Sequence, residues 1–270
     1  MKKKLLALLS VAVLALGMVA MTGCGGSNEA TDENASDLAY VQDKGTMVVG
    51  ITDFAPMDYK DDNGEWIGFD ADLAKAYGES IGVDVEFIEI NWDSKEMELE
   101  NKNIDCVWNG MTLTDGVMEA METSNAYCNN AQVVVVNKDK AAGIKSAEDC
   151  ADLAFAVEAG SAGEEQATAN GFDATGVETQ ADAVMEVAAG TADACIIDSL
   201  MAGAMVGEGT SYPELVATVG LNEELYGVGF RKGSDMAASL NEYLVAAYAD
   251  GTIEEIAKTY GTQESIIEQK

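Results

Sequence analysis

Strand-like and helix-like runs alternate along most of this chain, and that alternation restricts the fold more than any other feature. Thr46–Thr52 (TMVVGIT) reads as a buried strand, and Asp70–Ile81 as a helix with Leu73, Ala74, Tyr77 and Ile81 at helical spacing. Val83, Val85 and Phe87 alternate as in a half-buried strand. Ile104–Trp108 is a short strand and Ala131–Val136 (AQVVVV) a strongly apolar one. A second set follows. Ser146 caps a short helix running through Cys150, then come strand Leu153–Val157, helix Gly160–Asn170 and helix Gln180–Ala189 with Ala183, Val184, Val187 and Ala188 on one face. Strand Ala194–Ile197 and a short helix from Ser199 complete it. Strand Tyr226–Phe230, a long helix Ser234–Ala249 and the segment Ile253–Tyr260 close the chain. No simple period repeats, so a solenoid is excluded. Two α/β sets with a helical tail predict an α/β protein of two lobes. The pattern alone does not say where the chain crosses between them.

The start of the 270-residue chain reads as an address. Lys2, Lys3 and Lys4 precede an apolar run from Leu5 to Met21, too short for the ~20 residues of a spanning helix. Small residues then lead to Cys24 (MTGC), which is similar to a bacterial lipobox; the alternative is an ordinary secretory signal with a chance cysteine. Residues 1–23 are thus expected to be a signal peptide, with Cys24 lipidated. Gly25–Asp37 (GGSNEATDENASD) is small, polar and acidic, and residues 24–45 are expected to form a flexible tether. This places the protein outside the cytoplasm, held to the outer face of the cytoplasmic membrane by the lipid alone.

Charge and composition remove whole classes of function. The formal net charge is −33, so phosphate is repelled and no nucleic-acid partner is expected. Loss of the three signal lysines leaves a body still more acidic, which an anionic bilayer would repel without a lipid anchor. There is no histidine, so His triads, imidazole acid–base chemistry and His metal sites are out. Cys106 and Cys195 lie in apolar, strand-like runs and read as core residues, and no CxxC pair offers a thiolate metal site. With Cys128 and Cys150 they permit disulfides in three connectivities, among which spacing does not choose. Neither a metal nor a cofactor is called for.

Six runs, in order, resemble the amino-acid-type (family 3) solute-binding proteins of bacterial ABC importers: VVGITDFAPMDYKDDNGEWIGFDADLAKA, NIDCVWNGMTLT, AYCNNAQVVVV, VEAGSAGEE, TADACIIDSLMA and ELYGVGFRKGS. The resemblance implies a two-lobed, periplasmic-binding-protein-like fold with two hinge strands and a ligand cleft between the lobes. Lobe I would be 46–133 plus 225–270, and lobe II 136–222. It also implies a monomer that closes on a small ligand, an amino acid or related amine, and presents it to an ABC permease without doing chemistry.

The same resemblance, weighed beside each residue's local role, marks a set of ligand contacts. Phe54, in a loop after the first strand, and Trp92 would cover the two faces of the ligand. Asn109, Gly110 and Thr112 follow a strand end, where the turn would present backbone groups and the two polar side chains; the plainer alternative is a strand-to-helix turn capped by Thr114. Ser161 and Ala162 open a helix whose free N–H groups suit a carboxylate. Asp198 ends a strand and would pair with the ligand's ammonium group, or else simply cap the helix that follows. One position departs. Similar proteins carry an arginine seven residues after the glycine of the first-lobe turn, where this chain has Val117. Arg231 is the only arginine, beyond the returning hinge strand, and no nearby lysine replaces the missing one. Either backbone N–H groups with Thr112 and Ser161 hold the carboxylate, or the ligand has none. Asp53, Asp115, Glu158 and Asp198 would make the cleft acidic. The expected function is therefore delivery of a small amine-bearing solute, a polar amino acid, to an importer. A secreted dehydratase-like enzyme on the same fold is the alternative, poorly served by a chain without histidine or a cleft arginine. A sensory ligand-binding domain is disfavoured because no membrane span or signalling domain follows residue 270.

Overall fold

The structure is a computed structural model and describes residues 36–270. The expected signal peptide, Cys24 and most of the expected tether lie outside the described residues. One end of the expected tether does not: within 24–45, residues Asp37–Lys44 form a helix. The Ser36 hydroxyl accepts from Ala39 N, Gly45 closes the other end in the left-handed region, and Val41 is fully buried between. The isolated arginine fastens this helix. Arg231 Nε pairs with Asp37 at 2.9 Å, while its other nitrogens reach Ile104 O at 2.8 Å and Asp105 at 3.4 Å. Ser36, Leu38, Val41 and Gly45 carry a helix signal that the polar stretch before them obscures.

Two sheets organise the rest. The first runs in the order Asp84–Glu89, Thr46–Ile51, Cys106–Thr112, Glu224–Phe230, Glu122–Thr123, with Cys128–Asn130 also paired to Glu224–Phe230. Its first three strands are parallel and Glu224–Phe230 is antiparallel to them. The second runs Asp173–Val177, Ala154–Glu158, Ala194–Asp198, Gln132–Asn137, Leu215–Gly220. Its two edge strands have no counterpart in the sequence reading. Asp173–Val177 is almost wholly exposed and Leu215–Gly220 buries only Leu215, so neither shows an apolar run.

The chain crosses between sheets twice, at Ala131 and at 221–223. The crossings lie side by side: Leu221 N donates to Gln132 O at 2.8 Å, and Gln132 N to the Asn222 side chain at 2.7 Å. Two adjacent connections between two lobes make a hinge.

Strand periodicity divides the cores. In Cys106–Thr112, Cys106 and Trp108 face a core shared with Leu73, Tyr77, Leu240 and Ile253 from the covering helices. Val107 and Met111 face the opposite side, with Trp92, Leu99, Ile104, Val117 and Met121. In the second sheet Val134, Val136, Phe155, Val157, Ala194 and Ile196 line one side, and Val135, Ala156, Cys195 and Ile197 the other. Burial on both faces is why these strands read as continuous apolar runs. Cys106, Cys128, Cys150 and Cys195 are all free and buried, so no disulfide links them. Among the described residues, no helix is long and apolar enough to cross a membrane.

Candidate ligand-binding site

The parallel strands of both sheets point their carboxyl ends at one cavity of about 320 Å³, a volume suited to a small molecule. Seven of the eight residues expected at the ligand line it: Trp92, Asn109, Gly110, Thr112, Ser161, Ala162 and Asp198. Phe54 does not. After Ile51 the chain turns back on itself, with Phe54 N donating to Asp58 O at 2.7 Å and Asp58 N to Phe54 O at 2.8 Å. That turn drives the ring into the core, 1% exposed and edge-on to Tyr226. Its edge occupies the space beside Gly110, where a Cβ would sit 2.5 Å from it. Phe54 thus shapes the floor beneath the site.

Asn109 lines the cavity, yet its amide is fully engaged within its own lobe. Its Oδ1 accepts from Thr52 N and Thr52 Oγ1, at 2.9 and 2.8 Å; its Nδ2 donates to Thr52 O and Asp58, at 3.0 and 2.8 Å. Two donors and two lone pairs exhaust an amide, so Asn109 braces its strand against Thr52. With Gly110 and Thr112 it lies within Cys106–Thr112, which pairing to Glu224–Phe230 carries past Trp108, not in a turn after a strand end. Gly110 is held by its N–H, which donates to the buried Asp70 carboxylate at 2.6 Å; Tyr127 donates to the same oxygen at 2.7 Å. Burial raises the Asp70 pKa to about 7 and pushes that of Asp58 well above the ordinary range, with Asp70 beside it adding to the effect. Ser161 caps the helix Ala162–Asn170 by accepting from Glu164 N, leaving its own O–H free to donate.

Asp198 stands at the N-cap position of Ser199–Met205 but makes no capping bond. Instead its carboxylate accepts from Tyr226 OH at 2.6 Å and Gln132 Nε2 at 3.0 Å, and from Asn130 and Gln180. Glu224, unanticipated from the sequence, joins the same buried network. It accepts from Asn130 at 2.6 Å, Gln132 at 2.8 Å and Thr112 at 3.0 Å. Asn130 and Gln132 lie on the first crossing, Glu224 and Tyr226 on the return, so both hinge connections converge on the cavity carboxylate. Burial, and then the charge of Glu224, raise the Asp198 pKa well above its ordinary value. A cation in the cavity would relieve both.

Of the four acids expected to charge the cleft, Glu158 and Asp198 line it, whereas Asp53 and Asp115 are exposed and lie outside it. Asp93, Glu96 and Glu165 take their place at the rim. Glu158 is 2% exposed with one carboxylate oxygen unpartnered, and burial pushes its pKa up to about 8. Val117 does line the cavity, so the position where similar proteins carry arginine faces it with an apolar group. Arg231 is at the other end of the lobe, in its structural cluster. Lys95 also lines the cavity, although it stands far from Val117 in sequence. Among the described residues no group of His, Cys, Asp and Glu is arranged to hold a metal ion.

The lobes meet over the cavity. Lys95 of one donates to Gly160 O of the other at 3.0 Å, and Gly160 has φ +72° with its α-carbon against Asp93. A Cβ at 160 would lie 2.7 Å from Asp93 Cα. Gly160→Ala should therefore cost about 1–2 kcal/mol of left-handed strain in either state and oppose closure specifically. Ligand affinity should fall by about tenfold or more, and scattering should show less ligand-induced compaction. Wild-type affinity and compaction in the variant would contradict this account of closure.

Comparison with known proteins agrees with this geometry. The signature of the bacterial extracellular solute-binding proteins, family 3, matches residues 47–263. The L-cystine-binding protein TcyA of Bacillus subtilis (strain 168) is 31% identical over 267 residues, covering 96% of this chain and 97% of the relative. A substrate-binding protein of an ABC uptake transporter from Streptococcus pneumoniae, solved with bound histidine, superposes with a TM-score of 0.79 at 31% identity, over 86% of this chain and 98% of that one. An ancestral amino acid-binding protein, a precursor of cyclohexadienyl dehydratase, gives 0.76 at 33% identity, over 83% and 99%. With its two lobes, paired crossings and polar cavity, the chain belongs to the bacterial extracellular solute-binding proteins, family 3.

Proposed function

We propose that this protein is the extracytoplasmic receptor of an ABC importer, binding a free amino acid between its lobes and presenting it to the permease. The observation that carries this reading is the juxtaposition of Asp198 with the Ser161–Ala162 helix start in one cavity. A buried carboxylate without a cationic partner suits an ammonium group. The helix N–H groups and the Ser161 hydroxyl suit a carboxylate. An α-amino acid carries both charges a few ångströms apart. The relatives named above bind L-cystine and histidine, which supports the class without choosing the member.

The acidic lining favours ligands with additional positive charge or hydrogen-bond donors over acidic ones. Lipidation of Cys24, a polar spacer after it and a monomeric body complete the proposal. Binding without catalysis is part of it: Asp198, the carboxylate at the hinge, is engaged by four neutral donors of the protein and is arranged to hold charge.

The test is titration calorimetry with the twenty common L-amino acids and L-cystine on protein freed of endogenous ligand by unfolding and refolding. At least one should bind tightly, at micromolar concentration or below (about −8 kcal/mol), and should shrink the radius of gyration in small-angle scattering. Binding of none would refute the reading. Consumption of a bound ring-bearing acid, followed by mass spectrometry, would favour the dehydratase alternative.

A further inference from the structure

We propose that Lys95 is the carboxylate clamp of this receptor, reaching the cavity from the helix Lys95–Glu100 and joining the two lobes around the ligand's anionic end. The inference rests on the amino-acid-receptor reading above. Lys95 is 7% exposed, yet it forms no ion pair with any described residue. Its ammonium donates to two carbonyls, Gly160 O of the opposite lobe at 3.0 Å and Trp92 O at 3.2 Å. An ammonium has three donors, so one remains unspent. The Trp92 ring lies beneath it, 5.0 Å from centroid to nitrogen, and orients the cation without satisfying that donor.

The surroundings explain what the unspent donor is for. Lys95 is the one cation among the residues lining the cavity, against Asp93, Glu96, Glu158, Glu165 and Asp198. Such a cavity repels a carboxylate unless a cation receives it at a defined point. The Lys95–Gly160 bond sets that point beside Ser161 and Ala162, where a hydroxyl and helix N–H groups converge. Burial also lowers the Lys95 pKa, against the opposing pull of Glu96, Glu158, Asp93 and Glu165. Val117 lines the same cavity and packs in one apolar cluster with Trp92, so the anionic end can be approached from either position. Because Nζ bonds the opposite lobe, the clamp forms in full only when the cleft is closed.

The experiment compares each acid with its α-carboxamide. L-arginine, L-histidine and L-glutamine, and their amides, are titrated into wild type, Lys95→Met, and Lys95→Met with Val117→Arg. Wild type should prefer the acid by about ten- to a hundredfold, as one charge-assisted contact predicts. Lys95→Met should bring the acid-to-amide ratio close to one, and adding Val117→Arg should restore the preference. A lysine that served only as a latch between lobes would weaken acid and amide alike, leaving the ratio intact, and that result overturns the clamp alone. If wild type binds none of the three acids nor any other amino acid, the receptor reading falls and the clamp with it. Thermal unfolding of each variant shows that the comparison is made on folded protein.

Discussion

Asp198→Ala should weaken binding of an amino acid by about ten- to a hundredfold or more, the value of a charge-assisted hydrogen bond of about 1.5–3 kcal/mol. The carboxylate faces the cavity at 4% exposure, with Glu224 as its acidic neighbour and Asn130, Gln132, Gln180 and Tyr226 as donors. All four are neutral. None cancels the charge, and an ammonium group arriving from the cavity does. Removing Asp198 also leaves its donors facing a void, so the hinge network itself loosens. Asp198→Asn separates these effects. It preserves volume and one acceptor, but its amide hydrogens meet donors already aimed at that position, so it should recover only part of the affinity. Calorimetry on both variants, with circular dichroism to verify folding, decides the matter. Wild-type affinity in folded Asp198→Ala would remove the ammonium-binding role.

Asp198 was legible through the family resemblance, at the end of an apolar strand where capping the next helix was the competing use. Trp92, Gly110 and Ser161 were legible through the same resemblance; Ser161 opens a helix, whereas Gly110 lies inside the strand Cys106–Thr112. Lys95 was hidden by its own context. In KEMELE it is surrounded by glutamates, a pattern that normally means a solvated helix face, and only the tertiary approach of Gly160 buries it. Glu224 was hidden likewise, because the burial of a carboxylate at a strand's first residue depends on a second strand crossing beside it. Phe54 failed for the opposite reason. Its ring is apolar enough for either a ligand face or the core, and the reversal at Phe54–Asp58, invisible as periodicity, chose the core. The α/β architecture survives all of this because it rests on many apolar positions at once, while a site rests on single side chains whose neighbours come from distant segments.

The ligand-free protein should be more stable at pH 5 than at pH 8, the reverse of what acid denaturation of carboxylate-rich proteins suggests. Burial raises Asp70 to about 7 and Glu158 to about 8, and raises Asp58 and Asp198 as well. In the unfolded chain these groups ionise near their ordinary values of about 4. Between those limits the folded state holds more protons than the unfolded state, so stability falls as pH rises and levels off above the folded values. Each pH unit of separation costs about 1.4 kcal/mol, and Asp70 and Glu158 together therefore cost several kcal/mol at neutral pH. At about 2–4 °C per kcal/mol for a domain of this size, the midpoint of thermal unfolding should drop by more than about 10 °C from pH 5 to pH 8. The formal charge of −33 works in the same direction through self-repulsion. Exposed acids such as Asp61 and Asp149, whose hydrogen bonds hold their pKa low, oppose it only below about pH 4. Glu158→Gln should flatten the profile, since an amide has no charge to bury. Saturating amine-bearing ligand should flatten it too, because a cation in the cavity favours ionised Asp198 and Glu158 and releases their protons. Scanning fluorimetry across this range, with and without ligand, makes the check; a midpoint that climbs with pH in the ligand-free protein would show that these carboxylates are ionised in the fold, with cations of its own beside them.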